Sequence, residues 1–249
     1  FSFKLISFEP MIVVSDFMPI PLSALTRHNH FQLVHDIRNF TEFKRTNYFS
    51  FGKLFQKRQW GKCQNIITVS NFSKNELVKN CNINSENVVV SPNGIDNAYL
   101  KTKLDIEPDI DILYVATFEK RKNHQFLIKA LQNNNSKRKI KVCLIGKDLG
   151  NRKEIRVLAQ HLNNVEIDFI DHIGSESELI EFYDRSNLFI SPSLYEGFGM
   201  PIIEAISRGC KVLCTDTEVF REVGGASVEY FSPDNSSELF KMILDNLDN

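Results

Sequence analysis

The sequence predicts an α/β protein of two domains, the second a doubly wound parallel sheet, and three observations carry the prediction. From Ile112 onward, short apolar runs alternate with helical segments, the pattern of a parallel sheet held between two helix layers. At residues 191–208 a strand end, a glycine loop and a helix start follow one another directly, the kind of junction at which such sheets hold ligands. Before this region, Ser91-Pro92-Asn93-Gly94-Ile95-Asp96 breaks regular structure and a polar stretch continues to Asp109. That break divides the chain into residues 1–105, with the linker, and residues 106–249.

In the first domain, Phe3 to Phe8, Met11 to Val14 and Phe31 to Val34 are strand candidates, with a loop at Pro19 and Pro21 where helix is disfavoured. Residues 43–62 mix cations with aromatics, among them Lys44, Arg45, Phe55, Lys57, Arg58 and Trp60. Such a segment could dock on an anionic membrane face, or be a solvated helix face with its aromatics in the core. Ile66 to Val69 is a strand, Ser73 and Glu76 have capping-box spacing for a helix running to about Lys79, and Val88 to Val90 is the next strand.

In the second domain, Ile112 to Ala116, Ile140 to Ile145, Val165 to Ile170, Leu188 to Ile190 and Val212 to Cys214 are strands. Helices are expected near 125–131, 153–162, 178–184, 201–208 and 236–247, with Ser175 and Glu178 again at capping-box spacing. The chain has 249 residues, 42% hydrophobic and 24% charged, with a net charge of -1. This is a globular composition with no electrostatic reason to bind nucleic acid. Five cysteines without C-x-x-C spacing read as buried thiols of a cytoplasmic protein.

The chemistry concentrates at Glu196-Gly197-Phe198-Gly199-Met200-Pro201-Ile202-Ile203-Glu204. Pro201 suits a first helical turn, where its missing N–H has no partner to lose. Gly197 and Gly199 let backbone approach a ligand, and the amides of the helix start favour an anion, a phosphate above all. Glu196 and Glu204, with seven residues between them, flank that position as acceptors for ligand hydroxyls. Together they suggest a sugar nucleotide, although a glutamate in a first turn also stabilises a helix on its own account. A second stretch, Tyr114-Val115-Ala116-Thr117-Phe118-Glu119-Lys120-Arg121-Lys122-Asn123, follows the domain's first strand. It offers Arg121 and Lys122 to an anion at the strand ends, though a charged loop pair is commonly just solvated.

The run from Ser191 to Gly209 closely resembles the donor-site signature of the retaining glycosyltransferase group 1 superfamily, the family 4-like enzymes of GT-B fold. His35-Asp36 at a strand end, Thr68-Val69-Ser70, the 91–96 break, Phe169 to Ile173 and Glu222 to Ala226 resemble the same family in the same order. The resemblance implies a GT-B architecture, a partial N-terminal Rossmann-like domain and a nucleotide-sugar-binding C-terminal one, in a chain truncated at both ends. It implies a retaining, metal-independent transferase with a GDP- or UDP-linked donor as substrate, no cofactor, and a glycan or lipid-linked acceptor. Roles follow by position: Lys122 on the diphosphate, Glu196 on the sugar, Glu204 on the ribose, and Phe198, Gly199 and Met200 as amide donors. Ile173 would meet the base and His35 the transferred sugar, a histidine that outside this context reads as structural. Thr117 stands where many members have arginine, and Arg121 is the cation that could compensate. The Arg-Lys-Asn run resembles bacterial mannosyl and related transferases of surface polysaccharide, which implies cytoplasmic work with peripheral contact at the inner membrane face through 43–62. A GT-B sugar-nucleotide 2-epimerase and an inactive nucleotide-binding partner subunit are the alternatives. An NAD-dependent enzyme is disfavoured by the lack of G-x-G-x-x-G after either half's first strand.

Overall fold

The computed structural model describes residues 12–16, 30–41, 50–134 and 138–248. The chain divides into two compact units, residues 1–93 and 94–249. Among the described residues the first unit contains β1 (Val13–Asp16), β2 (His30–Val34), α1 (Ser50–Trp60), β3 (Ile66–Thr68), α2 (Asn71–Cys81) and β4 (Val88–Val90). Its strands form one parallel sheet in the order β1-β2-β3-β4. Val34, Ile37, Trp60, Ile66, Leu77 and Val88 make its core. The expected strand from Phe3 to Phe8 and the loop at Pro19 and Pro21 lie outside the described residues.

Two local expectations shift here. The cap of α2 is Ser70, whose side chain accepts from the Ser73 amide. The expected cap, Ser73, is already inside the helix, and its hydroxyl donates to the His35 carbonyl at 3.3 Å. Of the 43–62 segment, residues 43–49 lie outside the described residues. In α1, Trp60 is buried while Leu54 and Phe55 are exposed, so its apolar side chains divide between core and surface. Lys57 donates to the Asn80 carbonyl at 2.9 Å.

The second unit contains β5 (Ile110–Val115), α3 (His124–Leu131), β6 (Ile140–Ile145), α4 (Arg152–Ala159), β7 (Val165–Ile170) and α5 (Glu176–Asp184). It continues with β8 (Ser186–Ser191), α6 (Met200–Ser207), β9 (Lys211–Thr215), α7 (Glu218–Gly224), β10 (Glu229–Phe231) and α8 (Ser236–Leu247). The strands are all parallel, in the order β10-β9-β8-β5-β6-β7. Chain order reverses between β5 and β8, and ligands of such sheets sit at that switch point, beyond the strands' carboxyl ends. Ile112 and Leu113 of β5 and Leu188, Phe189 and Ile190 of β8 have no solvent exposure, as expected for strands covered on both faces.

Residues 94–105, read from sequence as the tail of the first domain, fall within the second unit. A short 3-10 turn, Asn97–Leu100, is capped by Asp96. The guanidinium of Arg208 then donates to the carbonyls of Tyr99 at 3.0 Å and Lys101 at 2.6 Å. Arg208 pairs with Asp184 at 2.7 Å, their side chains 2% and 0% exposed, and Asp184 also accepts from the Leu104 amide at 3.2 Å. The polar stretch is therefore a strapped segment of this unit.

Candidate active site

The loops leaving β5 and β8 come from neighbouring strands, with Ile112 opposite Leu188 and Leu113 opposite Phe189, and they are tied together. The Leu194 amide donates to the Arg121 carbonyl at 2.8 Å. The buried Tyr114 hydroxyl donates to the Lys122 carbonyl at 2.7 Å and lies 2.9 Å from Ser193 Oγ. Beneath Lys122, His124 opens α3 with its ring stacked on Phe118 at 4.3 Å and tilted against Tyr114 at 4.6 Å. Neither ring nitrogen of His124 has a hydrogen-bond partner among the described residues. Burial, reinforced by the charges of Lys122 and Arg152, pushes its pKa down to about 3.

Four charges meet between these loops. Glu196 accepts from Arg121 Nη1 at 3.0 Å and from Lys122 Nζ. Arg121 Nη1 also donates to the Tyr195 carbonyl at 2.8 Å, and Nη2 pairs with Glu119 at 2.8 Å. Glu119 in turn accepts from the Thr117 hydroxyl at 3.0 Å. The Glu196 side chain is 14% exposed. Its burial favours the neutral acid, but Lys122 and Arg121 outweigh that and hold the carboxyl below its ordinary range.

The loop after β8 runs into α6, which begins at Met200, one residue before the expected start at Pro201, with Gly199 as N-cap at φ 100°. A Cβ on Gly199 would also come within 2.9 Å of the Phe220 ring, so both backbone and packing require glycine here. As a glycine, Gly199 brings no capping side chain to this helix start, and the positive end of α6 suits an anion. Further along α6, half-buried Glu204 accepts from the Tyr183 hydroxyl at 2.7 Å. Burial pushes the Glu204 carboxyl up, only partly opposed by that hydrogen bond.

The family model for glycosyl transferases group 1 matches residues 97–248. The chain belongs to this family. A second model, Glycosyltransferase Family 4, matches residues 11–99. The O-antigen chain mannosyltransferase RfbU of Salmonella typhimurium is 29% identical to this family member, over 81% of this chain and 56% of the relative. The O-antigen chain mannosyltransferase B of Escherichia coli is 26% identical, over 73% and 51%. The chain thus spans about half the length of the curated relatives it matches. A sucrose-phosphate synthase structure from Thermosynechococcus elongatus superposes with a TM-score of 0.72 at 18% identity, over 88% of this chain and 59% of that one. Anabaena HepE, in a structure with UDP and glucose, superposes at 0.71 and 21% identity, over 88% and 62%. The fold is that of GT-B glycosyltransferases.

In this chain, Thr117, Arg121, Lys122 and Glu196 form one network, with Glu119 linking Thr117 to Arg121. Gly197, Phe198, Gly199, Met200 and Pro201 lead from it into α6, which carries Glu204. Ile173 lies in the loop after β7, half-buried. His35 belongs to the first unit, with Nε2 3.5 Å from Asp16 Oδ2. Sequence reasoning did not single out Glu119, Tyr114, Ser193 or Tyr183, although the first three lie inside the two stretches it chose. Their roles are contacts with distant residues, which spacing does not report. The Asp109-Ile110-Asp111 spacing, of the Asp-x-Asp kind that can serve metals, lies at the amino end of β5, opposite the site. Asp109 is paired with Arg185 at 2.7 Å, and Asp111 with Arg138 at 3.2 Å.

Proposed function

We propose that this chain is a retaining hexosyltransferase that moves a sugar, mannose before others, from a GDP- or UDP-linked donor to a glycan or lipid-linked acceptor in bacterial surface polysaccharide synthesis. One observation carries the reading: Lys122 and the start of α6 flank Glu196 at the switch point of the sheet. Departure of a nucleoside diphosphate leaves negative charge on the phosphates, and preorganised donors aimed at that charge are the strongest lever on such a step. Lys122 Nζ and the α6 amides supply them. Glu196 takes the sugar hydroxyls and Glu204 those of the ribose, with the base near Ile173. The names of the relatives, O-antigen mannosyltransferases, support the sugar and the setting. Among the described residues no helix is long and apolar enough to cross a membrane, and the 43–62 segment is the proposed site of peripheral contact at the cytoplasmic face.

The test supplies GDP-mannose or UDP-glucose with a polyprenyl-diphosphate glycan and follows the labelled sugar. Transfer with an α-linked product from either α-linked donor supports the reading. Conversion of the donor alone to its 2-epimer, or nucleotide binding with no turnover alongside a competent partner, would replace it.

A further inference from the structure

Glu119, Arg121, Lys122 and Glu196 carry two negative and two positive charges that offset one another within a single contact network. A diphosphate arriving beside Lys122 competes with Glu196 for that ammonium. Glu196 must then be kept in place and ionised by something else.

Arg121 has the geometry for this. Its guanidinium spans Glu196, the Tyr195 carbonyl and Glu119 at 3.0, 2.8 and 2.8 Å, and its side chain is only 10% exposed. Glu119 is itself steadied by the Thr117 hydroxyl. A planar fork held by two carboxylates and a carbonyl is an oriented brace, a task a lysine's single ammonium cannot repeat. Lys122 reaches Glu196 through one flexible ammonium, which can turn to a new anion without dismantling the loop.

We infer that Arg121, braced by Glu119 and Thr117, is a positioning residue that aims Glu196 at the sugar hydroxyls, while Lys122 answers the diphosphate. The inference rests on the nucleotide-sugar reading and deepens it. Thr117 then serves Glu119 and, through it, Arg121. The brace is assembled wholly within the two loops already tied by Leu194 and the Arg121 carbonyl.

Calorimetric titration of the whole chain with GDP and GDP-mannose, and with UDP and UDP-glucose, separates the two roles, because the ratio of the paired affinities isolates the sugar. Arg121→Ala should leave the bare diphosphate within about threefold, less than one lost hydrogen bond, because its guanidinium is committed to Glu196, Glu119 and the Tyr195 carbonyl. It should weaken the sugar nucleotide by about tenfold or more, the scale of a charge-assisted hydrogen bond. Arg121→Lys should behave like Arg121→Ala. Glu196→Gln should shift the ratio in the same direction, and adding Arg121→Ala to it should change little further. Thermal unfolding of the ligand-free variants checks folding. If Arg121→Ala does not fold, Glu119→Gln, which keeps the guanidinium, decides the matter by the same ratio. Equal weakening of both ligands, additive Arg121 and Glu196 effects, or an unchanged ratio in Glu119→Gln would each overturn the inference alone. A wild-type chain that binds neither nucleotide pair would overturn the functional reading, and this with it.

Discussion

Glu196 and Glu204 belong to one short stretch, yet they meet opposite surroundings. Glu196 faces two cations that hold it ionised. Glu204 sits against a tyrosine hydroxyl in a partly apolar setting that favours its neutral form. The supports differ as well. Glu196 is braced across loops from β5 and β8, whereas Glu204 rides on α6, whose C-cap Arg208 straps down the 99–102 backbone. A matched pair in sequence is thus an unmatched pair in chemistry. One is a fixed anion inside a cluster of balanced charge, and the other is an acceptor suited to neutral hydroxyl donors.

The comparison can be broken most severely on the Glu204 side. Asp184→Ala leaves Arg208 buried without its counter-charge and should cost about 3–5 kcal/mol of stability, measured by urea unfolding. On the Glu196 side, Lys122→Ala should lower turnover by about 10²–10³, the loss typical of one preorganised donor. A rate within a few-fold of wild type would remove Lys122 from the chemistry.

Titration sharpens the contrast through its sign. Glu204 is raised above its ordinary value of 4.5, so the native state holds its proton longer than the unfolded chain does. Its contribution to stability therefore falls as pH rises through that window. Glu204→Gln should accordingly be more stable than wild type at neutral pH, with the advantage vanishing in acid. Glu196 is lowered, so its contribution is present above 4.5 and lost as pH falls through its native value. Glu196→Gln should be less stable than wild type at neutral pH, and the gap should close in acid. Melting temperatures of both variants across pH 3–8 check the opposed slopes. The smallest effect expected is that of Tyr183→Phe, about 1 kcal/mol from one hydrogen bond, read by calorimetric unfolding.

What was legible in the sequence follows from which interactions are local. β6 and β7 have the bounds expected of them, Ile140–Ile145 and Val165–Ile170, because the largely apolar run of β6 marks a buried strand and the apolar-acidic alternation of β7 marks a half-exposed one at the sheet edge. Ser175 caps α5 as its spacing predicts, accepting from the Glu178 amide at 3.2 Å. The short elements α7 and β10 were not expected, since neither is long enough to show a period and Glu222 to Ala226 stood out only by its resemblance to the family. The glycines 224 and 225 close α7. The strap by Arg208 was invisible for another reason: its partners lie far back along the chain, and a lone arginine before the glycine that follows a helix looks ordinary. The site divides in the same way. Its motif residues announced themselves by spacing, while the ties through Tyr114, Ser193 and Tyr183 exist only once the strands are adjacent.

His124 adds an acid sensitivity of its own to this arrangement. An unfolded chain would accept a proton on this imidazole near its ordinary value of 6.5, whereas the native ring resists until about 3. Between those values every step toward acid favours the unfolded chain. Protonation in place would set a third positive charge near Lys122 and Arg152, in an aromatic slot with no acceptor for it among the described residues. The ring on which the cationic loop rests is therefore uncharged at neutral pH, and acidification begins to favour the unfolded chain through His124 before it neutralises Glu196.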